Sequence, residues 1–163
     1  MPGTTDAAGP REGDPAPDFE LPAAGGVRVR LRDLLLRGPV VLYFYPKDFT
    51  PSCTIESCGF RDQYQDFLDA GAEVVGISTD PSESHERFAA RHRLPFLLLS
   101  DAGGVVRSAY GVPKILGVLG GRVTFVIDRD GTVAHRFRSQ FRPKQHVERA
   151  LATLRGLVAS RTG

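Results

Sequence analysis

The run VVLYFY, Val40 to Tyr45, constrains this chain more than any other feature. It is apolar at consecutive positions and rich in β-branched and aromatic residues, so a strand built from it presents apolar side chains to both faces of a sheet. Such a strand belongs at the centre of a sheet that is covered on both sides. Two further runs, EVVGIS from Glu73 and LPFLLLS from Leu94, have the same character. Segments of helical period separate them. A helix is predicted from Ser52 or Cys53 to Ala70, with Phe60, Tyr64, Phe67 and Leu68 spaced to bury one side and Gly71 as its stop. A second is predicted in DPSESHERFAARHR, with Asp80 as cap and Pro81 in the first turn.

Beyond a short helix in DAGGVVRSAYG, the pattern changes. RVTFVID and TVAHRFR are two strands joined through RDG, whose Asp130-Gly131 favours a tight hairpin turn. A last helix follows over Lys144 to Ala159, with Val147, Leu151, Leu154 and Val158 at helical spacing. Upstream, VRVRL after the Gly25-Gly26 turn alternates at strand period and predicts a short edge hairpin, and LRDLL one or two helical turns. The order is a β-α-β-α-β half, then a hairpin and a helix. This gives an α/β sandwich with a mixed sheet, parallel where strands are joined through helices and antiparallel at the hairpin, in a thioredoxin-like arrangement. Residues 1–12 are small, polar and rich in proline and glycine, and are expected to be disordered; residues 13–160 form a single domain.

Charge and length exclude some functions. The net charge is only +2, although nine basic and three acidic residues lie from Arg122 onward. Without aromatic interleaving or a nucleic-acid motif, that excess reads as a solvated arginine-rich surface. No segment has the uninterrupted apolar length of a membrane span, and the acid-bearing N-terminus lacks a signal-peptide core, which favours the cytoplasm. There, two cysteines point to redox chemistry or a metal rather than to a permanent disulfide.

The two are Cys53 and Cys58. Cys53 falls in the first turn of a helix that directly follows the central strand, where unpaired backbone N–H groups favour a thiolate. The surrounding FTPSCT is too polar for a core cysteine. Cys58 is five positions on in the same helix. Ideal geometry puts the two Cα atoms roughly 8.6 Å apart, beyond the roughly 7 Å limit of a disulfide. The bond can form only if the first helical turns unwind. A metal is a poor fit, since the thiols supply two ligands and His85, His92, His135 and His146 are all remote in sequence. A thiolate that meets a peroxide becomes a sulfenic acid, and a second thiol condenses with it. Unwinding then has a use: Cys53 meets peroxide in the folded pocket and is afterwards released toward Cys58.

Pro46-Lys-Asp-Phe-Thr50-Pro-Ser-Cys53 carries the proline, the hydroxyl residue and the cysteine at the spacing of the peroxiredoxins, and Cys58 followed by GFRD resembles their bacterioferritin-comigratory-protein or Q-type branch. PAPDFEL, VVLYFYPKDFTP, VVGIS, YGV and RVTFVID extend the resemblance over about residues 13 to 160. It implies a thioredoxin-like fold of peroxiredoxin type and a thiol peroxidase acting on hydrogen peroxide and organic hydroperoxides. Cys53 is then the peroxidatic nucleophile, Cys58 the resolving thiol, and thioredoxin or a similar dithiol protein the reductant. Thr50 is implied as the hydroxyl that hydrogen-bonds thiolate and peroxide, Pro46 as a shield of the pocket, and Arg122 as the cation beside the sulfur. No cofactor or metal is implied. Ser52 stands where glycine is common in the branch, which leaves peroxide preference open. Read without the resemblance, Thr50 could serve as a helix cap, Pro46 could simply end the strand, and Arg122 could be a solvated strand-edge charge. Rival readings are a one-cysteine cycle, a disulfide oxidoreductase, and a redox-sensitive binding or chaperone protein. With both thiols on one helix, the chemistry needs no second subunit, and a monomer is expected.

Overall fold

The structure, a computed structural model, describes residues 9–112, 122–139 and 142–162. Two short strands, β1 (Glu20–Pro22) and β2 (Arg28–Arg30), pair antiparallel as a separate ribbon, with Leu21 opposite Val29. Helix α1 (Leu31–Leu35) leads to β3 (Val40–Phe44), followed by α2 (Pro51–Asp62), α3 (Tyr64–Asp69), β4 (Glu73–Ser78), α4 (Ser82–His92) and β5 (Leu97–Ser100). Helix α5 (Val105–Ala109), the hairpin strands β6 (Val123–Ile127) and β7 (Val133–Arg138), and the long α6 (Pro143–Thr162) complete the chain. The main sheet runs β5-β4-β3-β6-β7, with β3, β4 and β5 mutually parallel and β6 and β7 antiparallel additions. It is the mixed, helix-flanked sheet of a thioredoxin-like fold.

Strand β3 lies at the centre, as its composition demands. Val40, Leu42 and Phe44 pack into one apolar cluster with Phe125, Ile77 and Tyr110, while Val41, Tyr43 and Tyr45 enter the other with Phe60, Phe67, Phe88 and Leu154. Cys53 lies in this second cluster. In the hairpin, Gly131 takes a positive φ of 89° and donates its N–H to the Asp128 carbonyl, while the Asp128 N–H closes on Thr132. The loop is longer than a two-residue turn.

Two local expectations are corrected. The helix predicted to run to Ala70 is divided at Gln63, whose φ of −101° and ψ of 9° are not helical. Phe60 and Phe67, on either side of the break, are both fully buried. Asp80 does not cap α4: Pro81 occupies the cap position, and the Asp80 carboxylate accepts from the Asp48 N–H and the Ser78 hydroxyl instead. Of the segment expected to be disordered, residues 1–8 lie outside the described residues. Gly9 sits against the Tyr110 carbonyl, so close that a Cβ would overlap it, and the Gly13 N–H donates to Val133. Among the described residues no helix is long and apolar enough to cross a membrane.

Candidate active site

The loop from Tyr45 to Thr50 joins the carboxyl end of β3 to α2. Thr50 takes the extended conformation of a cap residue, and its carbonyl accepts the first helical hydrogen bond from the Thr54 N–H at 2.8 Å. Pro51 is the first helical residue, where a missing N–H costs nothing. The N–H groups of Ser52 and Cys53 therefore lack intrahelical acceptors and add their partial positive charge around the sulfur. Cys53 is fully buried and Cys58 half-buried, and both are free thiols on an unbroken helix.

Arg122, immediately before β6, is brought to the sulfur from 69 residues away: its Nη2 donates to Cys53 Sγ at 3.3 Å. Its Nη1 donates to Glu56 Oε1 at 2.5 Å. The guanidinium is only 4% exposed, so it is a buried cation held between the Cys53 sulfur and the Glu56 carboxyl and not a solvated edge charge. Burial lowers its proton affinity, but the charges of Glu56 and Cys53 outweigh that and hold it firmly protonated.

Thr50 and Pro46 flank this pair on the loop. The Thr50 hydroxyl donates to the Lys47 carbonyl at 2.9 Å, and it makes no side-chain capping bond. With its hydrogen committed to Lys47, its oxygen can accept from a hydroxyl of substrate. Among the described residues it has no hydrogen bond to Cys53. Pro46 is half-buried just past the strand end. The structure brings Arg122 beside Cys53, the position the resemblance implies for it, while the Thr50 hydroxyl points first to its own loop.

Glu56 was not singled out from the sequence. It lies three positions after Cys53, hence on the same helical face, and its carboxylate is completely buried. Oε2 has no hydrogen-bond partner among the described residues. It lies 3.5 Å from Nδ1 of the buried His146, on α6. The His146 Nε2 faces the Ser139 carbonyl at 2.8 Å and must carry the ring hydrogen, while the Thr124 hydroxyl bonds to Nδ1 at 2.7 Å. Burial, helped by the nearby Arg122, pushes His146 down to about 4, so the ring is neutral near pH 7 and the lone pair on Nδ1 accepts from the Thr124 hydroxyl, which leaves Glu56 Oε2 without a donor. Burial pushes the Glu56 carboxyl up to about 7 despite the opposing charge of Arg122.

Beside this group, on the loop itself, lies a second buried cluster. Asp48 Oδ2 accepts from His85 Nδ1 at 2.8 Å and from the Ser84 hydroxyl at 2.7 Å, and Oδ1 accepts from Tyr45 Oη at 2.6 Å. Asp48, Asp80 and His85 converge closely enough to suggest a metal site. The oxygens that converge are already taken by hydrogen donors, however, and both ring nitrogens of His85 face acceptors, with Nε2 on the Leu99 carbonyl at 3.0 Å.

The comparisons agree with this arrangement. The model of the AhpC/TSA family matches residues 12–136. Peroxiredoxin Q of Sedum lineare, a chloroplastic protein, is 48% identical over 147 residues, covering 90% of this chain and 78% of the relative. The crystal structure of peroxidoxin BcpB from Mycobacterium tuberculosis superposes with a TM-score of 0.86 at 46% identity, covering 91% of this chain and 98% of that one.

The chain belongs to the AhpC/TSA family, in its peroxiredoxin Q branch.

A further Q-type structure, from Xanthomonas campestris, matches with a TM-score of 0.79 at 34% identity over 86% of this chain and 91% of that one. Thiol peroxidase activity comes with membership at this level of identity. In this peroxiredoxin the sheet holds the loop and Arg122 on the same edge, which is how residues so far apart in sequence meet.

Proposed function

We propose that Cys53 is the peroxidatic nucleophile of this thiol peroxidase and Cys58 its resolving thiol. The observation that carries the reading is the buried Arg122 guanidinium 3.3 Å from a cysteine sulfur in the first turn of α2. A thiolate there attacks the terminal oxygen of a hydroperoxide. The sulfur gains that oxygen as a sulfenic acid, the O–O bond breaks, and the leaving oxygen departs as water or an alcohol after taking a proton. Arg122 stabilises both the starting thiolate and the charge that develops on the separating oxygens, in a site closed to water. The Thr50 oxygen accepts from the hydroxyl end of the peroxide, and Pro46 covers the loop side of the pocket.

Resolution follows when the first turns of α2 unwind. The Cys58 thiolate attacks the sulfenic sulfur, releasing hydroxide and leaving a Cys53–Cys58 disulfide. A thioredoxin-type dithiol reduces it by exchange. Hydrogen peroxide and organic hydroperoxides are the substrates; a related Xanthomonas campestris protein is described as reducing alkyl peroxides. Since nucleophile and resolver share one helix, the protein works as a monomer, and its two free thiols suit the reducing cytoplasm.

Stopped-flow oxidation of the intact protein, C53S and C58S by hydrogen peroxide tests the assignment. C58S should consume one equivalent rapidly and stop without its partner thiol; C53S should be inert. Rapid consumption by C53S would overturn the nucleophile.

A further inference from the structure

The buried cluster around Asp48 has no part in the chemistry above, yet it sits within the segment that carries Pro46 and Thr50. We propose that His85, acting through Asp48, is a positioning residue of the peroxidatic pocket: it clamps the loop 46–50 to α4 and β5, so that only α2 melts when Cys53 moves to Cys58. This rests on the Cys53–Cys58 reading.

Hydrogen bonding on the two sides of Thr50 is unequal. On the loop side, the Asp48 carboxylate accepts from Tyr45, Ser84 and His85, and its N–H donates to Asp80 at 2.7 Å. Asp80 is itself tied to β4 and β5, because its carboxylate accepts from Ser78 and its carbonyl from the Ser100 hydroxyl. His85 closes the group on Leu99 of β5. A carboxylate and a main-chain carbonyl both accept, and the two ring nitrogens of His85 face one each, which ties Asp48 to β5 through the ring. Both side chains are buried. Burial alone would push the Asp48 carboxyl up, but bonds from His85 and Tyr45 prevail and hold it below the usual range.

The clamp also holds strain. Phe49, directly after Asp48, has φ of +66°, a region that a bulky L-residue adopts only when its surroundings impose it. Its ring lies edge-on to Phe88 of α4 at 5.1 Å, one helical turn beyond His85. The Thr50 hydroxyl is then fixed by the Lys47 carbonyl inside the same loop. On the helix side, by contrast, Pro51 contributes no N–H, and Ser52 and Cys53 have no intrahelical acceptor. The main chain is therefore anchored up to Thr50, whereas the start of α2 is held through side chains, by Arg122 on Cys53 and Glu56 and by Tyr43 on Ser57, and this change sets the boundary of unwinding.

Hydrogen exchange on the wild-type protein, reduced and as the Cys53–Cys58 disulfide, tests this first. The Asp48 amide should stay protected in both forms while amides 54–58 lose protection on oxidation. Loss at Asp48 together with 54–58 would overturn the clamp. H85Q and S84A then separate positioning from mere stability. H85Q can donate to Asp48 or to Leu99 but not to both, and should react with hydrogen peroxide at least tenfold more slowly. Its sulfenic acid should close to the disulfide at an equal or higher rate, and less of it should be over-oxidised by excess peroxide. S84A should move the same quantities in the same direction, more weakly. An unchanged peroxide rate in folded H85Q, or equal slowing of both steps, would refute the inference. C53S run alongside keeps this outcome distinct from failure of the nucleophile assignment, since only the latter leaves C53S active.

Discussion

Replacing Glu56 by glutamine should remove a specific pH dependence of stability. The folded protein holds the Glu56 proton up to about pH 7, whereas the ordinary carboxyl releases it near 4.5. At roughly 1.4 kcal/mol per pH unit, this displacement amounts to about 3 kcal/mol. The sign follows from proton binding: between those two values the folded state carries a proton that the unfolded chain has lost. The contribution is therefore intact below pH 4.5, is lost progressively as pH rises to about 7, and changes no further above it. E56Q preserves the contacts. Its amide oxygen still accepts from Arg122 Nη1, and its NH2 faces the His146 Nδ1 now 3.5 Å from Oε2. Urea unfolding of the reduced proteins from pH 4.5 to 8 should show E56Q gaining about 3 kcal/mol relative to the wild type across that window. The same proton bears on turnover, because unwinding α2 carries Glu56 into water, where it ionises freely. Closure to the disulfide in the wild type, relative to E56Q, should accelerate by up to about a hundredfold over this range. Any pH dependence of the Cys58 thiol cancels in the ratio. A stability difference that stays constant from pH 4.5 to 8 would refute the reasoning, as would a pH-independent ratio of closure rates.

Further substitutions probe other contacts. R122K keeps a charge but loses the fork that spans Glu56 and Cys53, and should slow reaction with peroxide by about a hundredfold in stopped-flow. T50V should slow the same step while leaving closure to the disulfide unchanged, because the Thr50 oxygen lies on the pocket side of the unwinding boundary. F60A removes a fully buried ring stacked on Tyr43 at 4.6 Å and should cost about 3–5 kcal/mol by urea unfolding.

Much of the fold was legible because its signals are local. The unbroken apolar run at Val40 to Phe44 demands a covered central strand, and Pro51-Ser-Cys53 after it reads as the opening of a helix. Arg122 was placed by resemblance; alone it reads as an edge charge, since the contact to Cys53 spans 69 residues. What escaped the sequence depends on pairings of that kind. Glu56 looks like a solvent-facing residue of a polar helix until Arg122 is seen to neutralise it, although its position on the Cys53 face was available as a signal. Asp80 reads as a cap because its local pattern is ideal for one, but the Asp48 N–H, 32 residues earlier, competes for the same oxygen and wins. His85 and His146 resemble ordinary helix residues, and only the packing of α4 and α6 against the sheet reveals what they touch. The break at Gln63 carries neither glycine nor proline, so no local signal marks it.

The central claim is that a helical turn which presents Cys53 to peroxide must come apart before Cys58 can reach it. The most direct measurement joins mass spectrometry to hydrogen exchange on protein given one equivalent of hydrogen peroxide. The account predicts a Cys53–Cys58 linkage accompanied by lost amide protection over residues 54–58, both reversed by a dithiol reductant. A linked pair with that stretch still protected, or a sulfenic acid that persists with Cys58 intact, would contradict it.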